Sequence, residues 1–293
     1  MSRAVKLPIL NPASDMRQLI AFAKYPIFPL APGQRRIEYK DRIGSSSFYF
    51  FVTSDEASHV PTISDSDTLI YVASELTASF NRGEKLSAEI PFRPNNVLRF
   101  LGRATGGRQR SLLADSLRRL ERANFTGSIP LGPYGNLPPG TFIEHLDWPE
   151  GEDLPRVIRV PTWMLHQVQQ QQIFKIAPAS LRLRGLKRRI NEWAWAHASR
   201  ATISPWSIKV SYAWLKAGGI REPGSRSHYR KFRFALRRLV EHNALPGYHL
   251  SLTGTARDEC LLILRITHNG FGSVPEPRET LEVFLDLPKN QES

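Results

Sequence analysis

Apolar side chains recur at helical spacing in two stretches of the chain that match each other. Leu69, Ala73, Leu76 and Phe80 fall at i, i+4, i+7 and i+11, the stripe of a helix that buries one side. Ser64, Asp65 and Asp67 stand near its start as cap candidates. Leu186, Ile190, Trp193 and His197 repeat that stripe 117 residues later. A short β-like segment comes after each helix, Ile90 to Phe92 and then Trp206 to Ile208, at an offset of 116. Next comes a short helix, with Asn95 and Ser211 as the matched caps. It runs into a turn containing glycine, Gly102 to Gly107 in the first copy and Gly218 and Gly219 in the second, where positive φ is accessible. Longer helices follow, and they share the word Leu-Arg-Arg-Leu, Leu117 to Leu120 against Leu236 to Leu239, at an offset of 119. Three inserted residues in the turn account for the change of offset. Beyond these helices the pattern turns extended, at Thr126 to Leu131 and Arg156 to Val160, then at Tyr248 to Leu252 and Leu261 to Thr267.

Helix, short strand, helix, turn, helix and hairpin is the order of a winged helix. Its recurrence predicts an α+β fold of two tandem winged-helix domains related by internal duplication. Residues 61–165 form the first domain on this reading and residues 166–269 the second. Residues 1–60 form an N-terminal extension that packs on the first domain, with Pro26, Pro29 and Pro32 preceding candidate strands at Arg35 to Tyr39 and Phe48 to Thr53. Pro161 to Leu165 and the Gln169 to Gln172 run read as a short helix plus linker, and residues 270–293 as a Pro-rich, acidic C-terminal tail.

Composition narrows the class. The chain has 293 residues, 41% of them hydrophobic and 23% charged, which excludes wholesale disorder and collagen-like repeats. No stretch approaches 18 consecutive apolar residues, and Met1 to Leu10 lacks the apolar core of a secretory signal. One cysteine, Cys260, forms no internal disulfide and has no zinc-ligand spacing around it. A soluble protein of the cytoplasm, without a membrane partner, fits these features.

The net charge of +13 points to a polyanion, and its distribution sharpens the reading. Residues 81–133 carry 10 basic and 4 acidic groups, and residues 180–243 carry 15 and 3. The stretch between them, residues 134–179, carries 3 and 5. Two basic blocks separated by an acidic stretch suggest two contact surfaces for double-stranded DNA. In the second copy Arg226, Arg230, Arg233 and Arg237 lie within a ~60° sector of the helical wheel, opposite Phe232, Ala235, Leu236, Leu239 and Val240. Such a row suits a major groove, where arginine is bidentate to guanine. In the first copy Leu113, Leu117 and Leu120 face inward. Arg108, Ser111, Arg118, Arg119 and Arg122 face outward, along with Asp115, which can pair with Arg119 or Arg118. Arg257, in the turn from Thr253 to Asp258, is the candidate wing contact.

Catalytic motifs fail on their chemistry. Gly102 to Gly107 has the G-x-x-x-x-G spacing, but Arg108 and Gln109 follow where a phosphate-binding loop needs Lys and Ser or Thr. No two of the eight histidines flank one apolar residue as in a metal-dependent nickase, so Tyr229, beside His228 and Arg230, reads as a packing or phosphate-contacting residue. Glu144, Asp147, Glu150, Glu152 and Asp153 crowd one Pro-containing loop and read as a solvated wing tip. The expectation is a protein that is not an enzyme, with no catalytic residue, metal or cofactor.

These residues resemble the plasmid replication initiator protein A family over about residues 20–270. The resemblance rests on Asp67 to Ser74 (DTLIYVAS), Asn81 to Gly83, Phe100 to Gly107 (FLGRATGG), Ser116 to Leu120 (SLRRL) and Thr126 to Ile129. Leu183 to Trp193 and Leu245 to Tyr248 resemble the helix and hairpin turn of the second domain, while Lys216 to Gly219 departs from the pattern. The resemblance implies a sequence-specific binder of directly repeated sites at a plasmid origin, which promotes strand opening and host helicase loading. It implies host replication proteins as partners, and repression of the protein's own gene as a homodimer. The residues by themselves reach only a double-stranded DNA binder with two similar reading heads. A winged-helix transcriptional regulator without a replication role has the same features.

Overall fold

The computed structural model describes residues 10–30, 32–43, 46–55, 58–130, 135–152, 154–198, 205–211, 213, 226–243, 245–254 and 262–269. The N-terminal segment folds as α1 (Pro12–Asp15), β1 (Arg17–Leu19), α2 (Ile20–Lys24) and the antiparallel strands β2 (Arg36–Ile43) and β3 (Ser46–Thr53). Alternation explains the last two. Ile37, Tyr39, Phe48, Phe50 and Val52 are buried on one face, while Arg36, Glu38, Lys40 and Tyr49 alternate with them on the other.

The first half of the chain then runs through α3 (Ser66–Asn81), β4 (Glu89–Pro91), α4 (Pro94–Phe100) and α5 (Gly107–Arg122). Short strands follow as β5 (Asn124–Gly127), β6 (Ile129–Pro130), β7 (Asn136–Leu137), β8 (Gly140–Thr141), β9 (His145–Asp147) and β10 (Val157–Arg159). Next come α6 (Thr162–Gln169), β11 (Ile173–Lys175) and a 3-10 turn at Pro178–Arg182. The second half has α7 (Gly185–His197), β12 (Trp206–Lys209), α8 (Arg226–Glu241), β13 (Tyr248–Thr253) and β14 (Ile263–His268).

Both halves contain a three-stranded antiparallel sheet of the same order. In the first it is β4-β10-β9 and in the second β12-β14-β13, so the last strand in sequence lies in the middle of each. The basic helices α5 and α8 have 16 residues each and precede the paired strands of their sheet. Leu117 and Leu236, the first leucines of the shared word, are fully buried in their respective cores.

The first wing departs from expectation. Thr126 to Leu131 does not begin it: β5 pairs instead with β3 and β8 in the four-stranded sheet β2-β3-β5-β8. The physical cause is apolar. Phe125 enters an aromatic cluster with Phe142, ring centroids 5.2 Å apart, and Trp163, 5.7 Å away, and it lies opposite the fully buried Val52 of β3. The strand that pairs with β10 is β9, next to the acidic loop.

Residues 165 and 166, between which the sequence reading places a domain boundary, both lie in α6. Trp163, Met164 and Val168 of that helix belong to the first core, which continues to Leu181, and the second core opens at Leu183. Helix α2 packs on α7 across this line, and Leu30 touches both cores. The turn at Gly218 and Gly219, Arg257, Cys260 and residues 270–293 lie outside the described residues.

One glycine fixes the register of the four-stranded sheet. Gly127 has φ +102°, and a Cβ there would stand 2.4 Å from the Tyr49 carbonyl oxygen and 2.8 Å from the Phe50 Cα. Both the backbone angle and the crowding exclude a side chain. Gly127→Ala is expected to lower stability by at least ~2 kcal/mol in urea denaturation. A loss below ~0.5 kcal/mol would show that the strand pairing is not as described.

Candidate nucleic-acid interface

Helix α5 is positioned by the turn before it. Gly102 adopts φ +66°, the Arg103 amide donates to the Leu98 carbonyl at 2.8 Å and the Gly102 amide to the Arg99 carbonyl at 2.9 Å. This pair of bonds is the Schellman closure that a left-handed glycine allows, and it turns the chain sharply from α4 towards α5. From the same turn the Arg103 side chain reaches back to the Asp67 carboxylate in α3.

The outer face of α5 is less uniformly cationic than its sequence suggests. Arg108 and Ser111 are exposed as expected, beside the exposed Leu112. Arg118 is exposed but pairs with Asp115 at 3.2 Å and lies over the Trp148 ring, 4.7 Å from its centroid. Arg122 pairs with Asp55 at 3.6 Å. Arg119 turns inward, with Nη2 and Nε donating to Asp65 at 2.7 and 3.2 Å. Asp65 is almost fully buried and also accepts from the amide and hydroxyl of Thr62, at 2.7 and 2.9 Å. The fork of Arg119 is thus occupied within the protein, which makes it an anchor of α5 on the start of α3. Glu121 adds a second anchor by accepting from the Leu146 amide of β9 at 2.9 Å, so the β9–β10 hairpin is tied to α5 by Glu121 at one point and Trp148 at another.

Helix α8 has a broader basic face than the arginine row. Arg230, Lys231, Arg237 and Arg238 are exposed together with Ala235, and Phe234 is 64% exposed among them. Arg233 is half-buried, its guanidinium 5.8 Å from the Tyr229 centroid. The buried side is centred on Leu236, with Phe232, Leu239 and Val240 packed at the second core, so the helix is rotated from the expected orientation towards Arg233. That rotation brings out Lys231 and Arg238, which the sequence reading did not single out. A wheel centred on Leu236 instead of on the whole apolar set shows them. Arg226 opens α8, and its side chain is outside the described residues, as is all of Arg257.

A buried ionic cluster joins the two halves. Asp67 of α3 ion-pairs with Arg188 of α7 at 2.8 Å as well as with Arg103. Arg188 Nε donates to Glu192 at 3.2 Å, Arg189 Nη1 donates to the other oxygen of Glu192 at 2.9 Å, and Gln18 donates to Glu192 at 3.3 Å. Arg189 also donates to the Phe28 carbonyl. Burial works to lower the pKa of both arginines. At Arg188 the two carboxylates outweigh it, whereas Arg189, beside the like charge of Arg188, is pushed down. Four cations of the basic blocks, Arg103, Arg119, Arg188 and Arg189, are therefore engaged inside the protein.

Among the described residues no His, Cys, Asp and Glu side chains gather in threes or more as for a metal ion. No described helix is long and apolar enough to cross a membrane. The geometry separates two classes of arginine by experiment. Arg119→Ala leaves Asp65 buried without its cation and is expected to cost ~2 kcal/mol or more in urea denaturation. Arg108→Ala is expected to stay within ~0.5 kcal/mol of the parent and to weaken duplex binding instead. The reverse pattern would exchange their roles.

Comparison with known proteins bears on what these helices serve. Residues 17–250 match the family model described as Replication initiator protein A. A protein of Wigglesworthia glossinidia brevipalpis named "Putative replication protein" is 27% identical over 246 residues, which cover 81% of this chain and 85% of that one. Among solved structures, a selenomethionine derivative of domains 2 and 3 of RctB aligns with TM-score 0.58 at 17% identity, over 85% of this chain and 98% of that one. A second structure of the same RctB domains gives 0.52 at 15% identity, over 85% and 96%. These structural likenesses concern the fold. The family match spans the N-terminal hairpin, both basic helices and the ionic cluster between them, and by it the chain belongs to the replication initiator protein A family.

Proposed function

We propose that the chain is a sequence-specific, non-enzymatic binder of double-stranded DNA at a plasmid origin, with two tandem winged-helix heads. The first head takes in the N-terminal hairpin and ends near Leu181, and the second begins near Leu183. Helices α5 and α8 enter successive major grooves, and the β9–β10 and β13–β14 hairpins act as wings. Bound to directly repeated sites, the protein promotes strand opening and the loading of a host helicase, and a dimer of it represses its own gene.

The observation that carries this reading is the pair of 16-residue basic helices, each placed ahead of a three-stranded sheet of the same order, in a chain of this family. Phosphate contact accounts for much of the affinity of such faces, and base edges for the specificity. The decoration of α5, where acids pair with Arg118 and Arg122, differs from that of α8. Two unlike heads on one chain favour an asymmetric site, which suits direct repeats and needs no symmetric partner.

The functional experiment places the gene and its flanking DNA beside a selectable marker in a host that lacks the plasmid. Autonomous maintenance of the marker is expected, and failure to maintain it, together with tight binding at the gene's own promoter, would make the protein a transcriptional regulator. Binding should also be steeply dependent on salt. With both faces engaged, ~6 to 8 phosphates are neutralised and log K falls against log salt with a slope of about −5 to −7. A slope shallower than about −3 would mean that one helix faces away from DNA.

A further inference from the structure

The two basic helices share a feature that charge does not explain. Among the described residues three large hydrophobic side chains are exposed, Tyr49 at 53%, Leu112 at 47% and Phe234 at 64%. Two of the three stand on the outer faces of α5 and α8. An isolated exposed apolar side chain is ordinary on a protein surface, but the surroundings of these two are not. Phe234 lies one turn from Arg230, Lys231, Arg237 and Arg238, within reach of all four on the helix surface. Leu112 lies one turn from Arg108 and from Asp115, which holds Arg118, and next to Ser111.

We infer that Leu112 and Phe234 read thymine, by packing against its C5-methyl group in the major groove. The inference rests on the reading of α5 and α8 as the helices that enter the groove. The cationic ring around Phe234 favours a polyanion over a second copy of this chain, whose matching face would bring like charges together. Within the groove the edges of the bases are polar donors and acceptors, and the thymine methyl is the apolar group they offer. An apolar side chain that leaves water there gains from burial only where that methyl lies beneath it. Arginines on the same face take the guanines and phosphates, so the apolar residue adds the position that charge cannot specify.

The test uses the full chain and the duplex it enriches from a random-sequence pool. Each thymine of that duplex is replaced in turn by uracil, which removes the methyl and keeps every hydrogen-bonding group. One or two positions under each helix are expected to lose about four-fold in affinity, the worth of one methyl-sized group, at fixed salt. Phe234→Ala should abolish the uracil effect at the positions under α8 and keep it under α5, and Leu112→Ala should do the converse. Both side chains are exposed, so both variants should fold as the parent does, which their urea denaturation checks. If no thymine responds to uracil while the enriched duplex still outcompetes a scrambled one, the inference fails and the DNA-reading function stands. If the uracil effect survives in both variants, other residues read the methyls and the inference fails. If no duplex is enriched over the pool, the function and the inference fail together. A change of oligomeric state in Phe234→Ala with the uracil effect intact would make this face a protein contact and overturn the inference.

Discussion

A buried group of charges, beside the packing of α2 on α7, ties the two halves of the chain together. Asp67 and Glu192 share the guanidinium of Arg188, Glu192 also holds Arg189, and Asp67 also holds Arg103. Each of these charges would be costly to bury alone, and removing one member of such a group leaves the others uncompensated, at ~3 to 5 kcal/mol. The cluster fixes the opening helix of the second half against the opening helix of the first. Through Arg103 it fixes the turn that launches α5 as well. The position of α5 and the placement of α7 are thus tied to the same carboxylate.

The two heads differ in how freely they offer charge. Three arginines of α5 are held by acids, Arg118 by Asp115 of the same helix and Arg119 and Arg122 by Asp65 and Asp55 ahead of α3, which leaves Arg108 as the exposed arginine of α5 with no ion pair described. On α8 four cations are exposed around one aromatic ring, and Glu241 is the acidic residue of the helix. A face whose cations are already paired exchanges an internal ion pair for a phosphate and gains less. On the proposed function, α8 then has the larger share of the attraction to DNA, while Glu121 and Trp148 attach α5 to the β9–β10 hairpin.

Local periodicity made the helices legible in the sequence. Leu113, Leu117 and Leu120 are buried as their spacing requires, and the glycine turn at Gly102 closes as a positive φ allows. What escaped was decided by residues distant in sequence. The exchange of β5 for β9 depends on Phe125 meeting Phe142 and Trp163, and nothing in the alternation of a four-residue strand reveals which hairpin it joins. The anchoring role of Arg119 depends on Asp65, 54 residues earlier. Arg188 and Arg189 look like surface cations in a basic block, yet both are buried where α7 packs on α2 and Arg188 meets Asp67 of α3. The orientation of α8 follows from Leu236, with Tyr229, Phe232, Leu239 and Val240 beside it, packing on the second core while Ala235 stays exposed, a choice among apolar residues that a hydrophobic wheel does not make.

On the proposed function, the buried cluster holds two unlike DNA-reading heads at one fixed spacing. The most direct measurement inserts 5 or 10 base pairs between the two halves of the bound duplex and compares affinity with the native spacing. Ten base pairs restore the groove face but move the second half about 34 Å away, farther than rigidly joined heads can follow. The account predicts that both insertions reduce affinity to that of a single half-site. Affinity recovered at 10 base pairs, or unchanged by either insertion, would contradict it, because the heads would then have to move independently of each other.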